Sequence, residues 1–255
     1  MRASIITIGN EILKGKTVNT NFAYIGSALT NAGYDVWRGI IVRDIADEIG
    51  FALKIALDSS DLIVTSGGLG PTYDDMTLLS IANALSLSLV LNEEALEMIK
   101  DKYKDLNIPI TDQRRKMAML PEGSYPLPNP VGTAPGVFIS YNNKAIVCLP
   151  GVPAEMKGIL DLAMDKLKSS GKSYVEKTVR LRGIMESAIA PLIEEEMKLW
   201  GNKVYIKSHP GSIEVSNPYL DIEVSSHLDS REEAEKDVDS VLNEIISKYK
   251  SYIGK

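Results

Sequence analysis

The 255-residue chain has little sulfur or imidazole: one cysteine, Cys148, and two histidines, His209 and His227. A lone thiol excludes an internal disulfide and makes the cytoplasm the expected compartment. The histidines stand far apart with no second cysteine near them. That leaves neither a His/Cys zinc set nor a Ser-His-Asp or Cys-His arrangement. No apolar run approaches the roughly 20 residues of a membrane span. The N-terminus, MRASIITIGNEIL, reaches Gly9, Asn10 and Glu11 too early for a signal peptide. No membrane partner is expected. Basic charge is also in deficit, 28 Lys+Arg against 34 Asp+Glu, for a net −6. Residues 171–255 carry 12 basic and 15 acidic side chains, and the remainder 16 and 19. Neither part has the excess that phosphate-led nucleic-acid binding needs, so no nucleic-acid partner is expected. What is present, 44% hydrophobic and 24% charged residues, is the composition of an ordinary globular protein of one or two domains.

Short apolar runs alternate with helical periodicity through the first 170 residues. Ala3 to Ile8 is a continuous β-branched run closed by Gly9, as in a strand buried on both faces. Phe22, Ile25, Leu29 and Ala32 follow at helical spacing, with Gly33 as the stop. Tyr34–Val42 reads as a strand, Ile49, Ala52, Leu53 and Ala56 mark a helix, and Leu62–Thr65 is a third strand. This order predicts right-handed βαβ crossovers and a mostly parallel sheet covered by helices on both faces. A helix capped by Asn92 should bury Leu96, Ile99, Tyr103 and Leu106. Asn142-Asn143 should turn a hairpin between Val137–Tyr141 and Ala145–Leu149. A helix with Pro153 in its first turn should bury Ile159, Leu160, Ala163 and Leu167. Ser169 to Ser173 is the expected linker. Beyond it, strands at Val175–Leu181, Val204–Ile206 and Leu220–Val224, a helix over Met185–Met197, and a long helix opened by Ser230 and Glu233 predict a small α+β domain. The expected organisation is a three-layer α/β/α sandwich over 1–170 and an α+β domain over 171–255.

In an open parallel sheet, ligands bind beyond the carboxyl ends of the strands. Four loops should lie there. Ser66-Gly67-Gly68-Leu69-Gly70-Pro71-Thr72-Tyr73-Asp74-Asp75 follows a strand and precedes an apolar helix. Its glycines permit positive φ and leave amides open to an anion; the alternative is a tight turn with Asp75 as a helix cap. It is neither GxxxxGK[ST] nor GxGxxG, which excludes a P-loop NTPase or a dinucleotide oxidoreductase on this motif. Asn10 and Glu11 close strand one, where they could meet a sugar or an amide, or be incidental turn residues. Asn129 to Gly136 holds Gly132, Thr133 and Ala134. Pro150 and Gly151 lead to Glu155, a ligand candidate or a plain helix-dipole partner. Arg114, Arg115 and Lys116 would neutralise phosphate or form a solvated face. Asp44, after strand two, joins Asp75 and Glu155 unless it caps the next helix. Carboxylates beside a phosphate site suit Mg²⁺ or a similar divalent cation.

Read together, GNEILKGKTVNTN, VTSGGLGPTYDDMT, LPNPVGTAPG and LPGVPAEM resemble, in this order, the CinA (competence/damage-inducible protein) family. More widely they resemble molybdopterin-binding domains of the MoaB and MogA type. The resemblance covers about residues 1–170, and the tail is similar to the KH-like α+β domain that follows in CinA proteins. It lacks the GxxG that clamps RNA, which favours a structural or dimerising element. The deamidase module that full-length members often add is not matched, so that activity is not expected. The resemblance implies a homo-oligomer and a loop rim that binds a phosphorylated pterin or nucleotide sugar. It also implies metal-dependent cleavage of ADP-ribose to AMP and ribose 5-phosphate. By motif position, Asp44 and Asp75 would be catalytic, and Asp75 and Glu155 would hold metal. Substrate would meet Asn10, Glu11, Gly67, Gly68, Gly70, Thr72, Asn129, Gly132, Thr133, Ala134, Pro150, Gly151, Arg115 and Lys116. Asn10 stands where Asp is frequent in the family and Met117 where Gln is usual, changes expected to alter substrate or metal preference. The rival reading is a non-hydrolytic binder or carrier of molybdopterin or an adenylylated pterin.

Overall fold

The computed structural model describes residues 1–104, 108–165, 167, 171–211 and 218–253. The expected Leu106, Ser169 and Ser170 lie outside them. The chain forms two compact units, Met1–Thr30 with Tyr34–Lys168, and Asn31–Gly33 with Ser169–Lys255.

The first unit runs β1 (Arg2–Ile8), α1 (Asn10–Leu13), α2 (Thr20–Asn31), β2 (Asp35–Val42), α3 (Ala46–Ser59), β3 (Leu62–Ser66) and α4 (Thr77–Leu85). It continues with β4 (Leu89–Leu91), α5 (Glu93–Tyr103), α6 (Asp112–Lys116), β5 (Met119–Pro121), β6 (Tyr125–Leu127), β7 (Gly136–Tyr141), β8 (Lys144–Leu149) and α7 (Pro153–Met164). Six strands form one sheet in the order β2-β1-β3-β8-β7-β6. The pairs β1–β2, β1–β3 and β3–β8 are parallel; β7 runs against both of its neighbours. The α/β fold with a mostly parallel central sheet is the one its sequence predicts. Strand alternation sends Ile6, Ile8 and Ile63 to a core shared with Ile49, Leu53 and Ala56 of α3 and with Leu78 and Ile81 of α4. Ala3 and Ile5 are buried on the other face. There the Gly26 position of α2 approaches the Ile5 methyl, and Ile159 of α7 crowds Gly136 of β7.

Asn142 and Asn143 both take positive φ, 47° and 62°, which joins β7 to β8 through the expected tight turn. Asn92 caps α5 by accepting the Ala95 amide at 2.9 Å. The periodicity missed α1, α6, the β4–β5 ribbon and β6, elements of three to five residues that are too short to show a period.

In the second unit β9 (Ser173–Arg182), α8 (Glu186–Trp200), β10 (Val204–Pro210), β11 (Tyr219–Leu228) and α9 (Arg231–Ile253) build an antiparallel sheet, β10-β11-β9, with two helices. Ile222, Val224, Ala234, Val238, Val241 and Ile245 are fully buried in its own core. Ser230 accepts the Glu233 amide at 3.3 Å, the predicted cap of α9.

At the sheet's centre, Gly67 (φ +117°) donates its amide to the Leu149 carbonyl at 2.9 Å, and a Cβ there would collide with the Ile8 carbonyl oxygen. Gly123 also has positive φ, 78°, but open space around it. Gly67→Ala should therefore cost about 3 kcal/mol or more, against about 1 kcal/mol for Gly123→Ala. Denaturant unfolding of the two variants measures this; equal costs would refute the close-approach account.

Candidate functional site

Parallel pairing sets the carboxyl ends of β2, β1, β3 and β8 side by side, at Val42, Ile8, Ser66 and Leu149. Because β7 is antiparallel, its first residue, Gly136, lies opposite Leu127 at that same edge. All four motif loops and the loop carrying Asp44 consequently open from one rim. A larger cleft of about 790 Å³ lies between α3, α4 and the β7–β8 turn, and no predicted site residue lines it. That turn is at the opposite end of the sheet, so the cleft is not the candidate site.

The glycine loop commits some of its amides to structure and leaves others without an acceptor among the described residues. Gly67 donates to Leu149 O, and Thr72 donates to Asp75 Oδ2 at 2.9 Å. The amides of Gly67 and Thr72, two of the positions expected to meet substrate, are therefore taken by the sheet and by the Asp75 carboxylate. Gly68, Leu69 and Gly70 meet no acceptor among the described residues. Gly68 (φ +69°) also turns its carbonyl to the Thr77 amide at 3.2 Å, and Thr77 Oγ1 donates to Gly67 O at 2.8 Å. The start of α4 thus holds the loop by its carbonyls and leaves three amides clear.

Asp75 is not the cap of α4, which begins after Met76 with no side-chain cap bond. Its Oδ2 accepts the Thr72 amide and the Thr72 hydroxyl, the latter at 2.6 Å. Thr72 Oγ1 also lies against Asp74. That hydroxyl, then the Asp74 amide, then the Lys116 charge hold the Asp74 carboxyl below its ordinary range. Lys116 donates to Thr72 O, so it fastens the loop, while Arg115 is exposed on α6. Asp44 does not cap α3 either; its Oδ2 accepts the Asn10 amide at 2.8 Å and ties the β1 and β2 loops together.

Asn129, expected to touch substrate, is buried, and the loop consumes both ends of its amide. Oδ1 accepts Val131 and Gly132 amides at 3.0 and 2.7 Å; Nδ2 donates to Ala134 O at 2.8 Å and Glu155 Oε2 at 2.7 Å. It positions the loop. Ala134 likewise packs its methyl in the core, Gly132 N is spent on Asn129, and Thr133 Oγ1 is 3.2 Å from the Tyr103 hydroxyl. Pro150 and Gly151 turn carbonyls inward, to Ser66 Oγ at 3.3 Å and Asn21 Nδ2 at 2.8 Å. Three rim carboxylates lie on glycines: side chains at Gly9, Gly70 and Gly132 would strike Glu11, Asp75 and Glu155. Among the described residues, no three His, Cys, Asp or Glu are gathered to hold a metal ion. The rim is therefore not a preformed all-protein metal centre, although its donors are the hard oxygens that suit Mg²⁺. Sequence reasoning missed Thr7, Asn19, Asn21 and Ser66; the NTN run was visible, but not that its second asparagine is buried.

Asn129→Ala should cost about 3 kcal/mol, since it removes four hydrogen bonds made by a buried side chain, one of them to the buried Ala134 carbonyl; thermal unfolding checks this, and a loss within 0.5 kcal/mol, roughly that of a neutral surface change, would refute it. In a carboxyl NMR titration, Asp74 should titrate below the ordinary Asp value of about 3.9, and Thr72→Val should raise it. With the folded-state value depressed, the contact favours the fold above the ordinary value and is lost as pH falls through the folded one. A midpoint unmoved by Thr72→Val would remove the hydroxyl as the cause.

Residues 4–169 match the family described as probable molybdopterin binding domain. A protein from Caldivirga maquilingensis is 53% identical over 251 residues, 98% of each chain. Protein TV0584 of Thermoplasma volcanium is 49% identical over 243 residues, 95% of this chain and 94% of its own. The crystal structure of the protein CinA from Thermoplasma acidophilum is 52% identical with TM-score 0.62, over 65% of this chain and 96% of that one. Among the described residues, no helix is long and apolar enough to cross a membrane. The chain belongs to the CinA family, and its first unit is a molybdopterin-binding-type domain.

Proposed function

We propose that the rim binds a diphosphate and hydrolyses it, with ADP-ribose or a related nucleotide sugar as substrate. One observation carries this reading: the amides of Gly68, Leu69 and Gly70 are free of acceptors beside a carboxylate, Asp75, that Thr72 fixes in place. Amides held by the fold stabilise charge developing on phosphoryl oxygens without reorganising during the reaction. Asp75 Oδ1 is left to accept from or orient a water. In hydrolysis that water adds to one phosphorus, the bridging P–O bond breaks, and its oxygen leaves with the other phosphate. ADP-ribose then gives AMP and ribose 5-phosphate. Asp44, half-buried at the neighbouring loop, keeps one oxygen for the same task. A divalent cation, held by Asp75 with Glu155 nearby, would neutralise phosphate charge; it would arrive with the ligand, as Mg²⁺ commonly does.

A second reading, non-hydrolytic carriage of molybdopterin or an adenylylated pterin, is favoured by the family match over residues 4–169. A pterin-type phosphorylated partner would use the same amides. Self-association into a dimer or trimer belongs to either proposal.

Incubation of the pure protein with ADP-ribose and Mg²⁺, followed by chromatography of AMP, tests the first reading. AMP should accumulate, EDTA should stop it, and Asp75→Asn should reduce turnover at least about 100-fold with unfolding unchanged. Unchanged turnover removes Asp75 from the mechanism. Intact ADP-ribose, together with a pterin that co-purifies with the protein, replaces hydrolysis by carriage.

A further inference from the structure

The central sheet has two edges, and they are protected unequally. At one end β6 has three residues, and Pro126 in its middle has no N–H to offer a further strand. At the other end β2 has eight, with no proline or lysine, and among the described residues it pairs only with β1. The Val42 carbonyl accepts the Gly9 amide at 3.1 Å, so the polar groups of Val42 face β1. By strand alternation those of Ile41 and Gly39 face away from the sheet, where no strand takes them. Beside them Trp37 and Ile41 are 48% and 42% exposed. Trp37 is a bulge, the extra residue between the Ala3–Val36 and Ser4–Arg38 pairings, and it disturbs the ladder only near the start of β2; Arg38–Val42 stays regular.

An open, apolar edge of this length invites another strand, and its charges fit a second β2. Arg43, just past the strand, is exposed and has no ion-pair partner among the described residues. Asp35, at the strand's start, is half exposed and has only a long contact to Arg2, 3.8 Å. Antiparallel pairing about a two-fold axis at Gly39 sets each Arg43 opposite Asp35 of the second copy, and each Ile41 opposite its Trp37. Opposite charges then meet at both ends, with an aromatic and a β-branched side chain paired between them. Gly39 brings no side chain to the axis; the Phe22 ring of α2 lies over it, where a Cβ would stand 2.4 Å away. An axis at Ile40 would instead face Asp35 with Ile45 and lose the charge pairing. Because each copy uses the same strand, the contact closes at two copies.

We propose that the chain forms a two-fold dimer by antiparallel pairing of β2 with β2 of a second copy, which joins the two central sheets into one. This does not depend on what the rim binds. The test is the dimer dissociation constant of the full chain by sedimentation equilibrium, alone and with Asp35→Arg, Arg43→Asp, both changes together, and Ile41→Lys. Each single charge reversal sets like charges opposite at both ends of the dimer and should weaken it about tenfold or more. The two together restore opposite charges and should return the constant to within about threefold of the original. Ile41→Lys places a charge on the open edge and should leave a monomer. All three positions are at the surface, and far-ultraviolet circular dichroism checks that each variant folds; Ile41→Lys decides should a charge variant fail to. An unaltered chain that is monomeric or trimeric overturns the proposal. So does an unchanged constant in Ile41→Lys, or a double variant that dimerises no better than the single ones.

Discussion

The rim depends on the close backbone approach at Gly67. There the last turn of β3 passes between its two parallel neighbours, donating to Leu149 O on one side and resting against Ile8 O on the other. Only a residue without Cβ, at φ +117°, fits. Gly151 continues the same contact, with its Cβ position 3.5 Å from the Gly67 Cα. Three loops are thereby pinned at one point before any functional side chain is considered. Ser66 and Asn21 brace it from beneath through Pro150 and Gly151 carbonyls.

Above this point the loops are organised by carboxylates as much as by glycines. Glu11, Asp75 and Glu155 each lie on a glycine Cα, and each close approach removes the freedom a longer contact would leave. Asp75 and Glu155 also accept hydrogen bonds from their own or a neighbouring loop, through Thr72 and Asn129. Asp44 does the same for the β1 loop through Asn10. One oxygen of each of these three pairs is engaged in structure, so the remaining oxygens point from fixed positions. That is the preorganisation a site needs to act on a ligand without first paying to order its side chains.

Much of this was legible in the sequence because the signals were long or chemically singular. The β-branched run of β1, the 3.6-residue periodicity of α3 and α9, and the Asn-Asn turn at 142–143 have few competing interpretations. The alternation of strand and helix placed the rim correctly, and the rim collected four distant motifs. Asn129 departs from its expected contact with substrate for a simple reason. An asparagine beside proline and glycine looks the same whether its amide serves a ligand or its own loop, and only burial tells the two apart. Asp44 stands out in the sequence, but its partner does not, since it is an amide 34 residues earlier rather than the nearest helix end. Lys116 places its ammonium on a carbonyl across the site, from where its charge acts on Asp74.

Under the diphosphate reading proposed above, charge balance constrains how such a ligand would enter. Glu11, Asp44, Asp74, Asp75 and Glu155 ring the rim, and the free amides of residues 68–70 supply partial charges only. Two unit charges 4 Å apart at a protein surface repel by roughly 4 kcal/mol, so a diphosphate facing several carboxylates needs positive charge beside it. Lys116, whose charge already acts on Asp74, and Arg115 carry two positive charges against these five carboxylates. A hard divalent cation carried in on the phosphates would meet the deficit with donors already present, which fits a rim rich in carboxylates yet without a three-ligand cluster among the described residues. On the proposed reading, ligand and cation would bind as one unit, each weakly alone, and metal affinity measured without a phosphorylated ligand would understate the site.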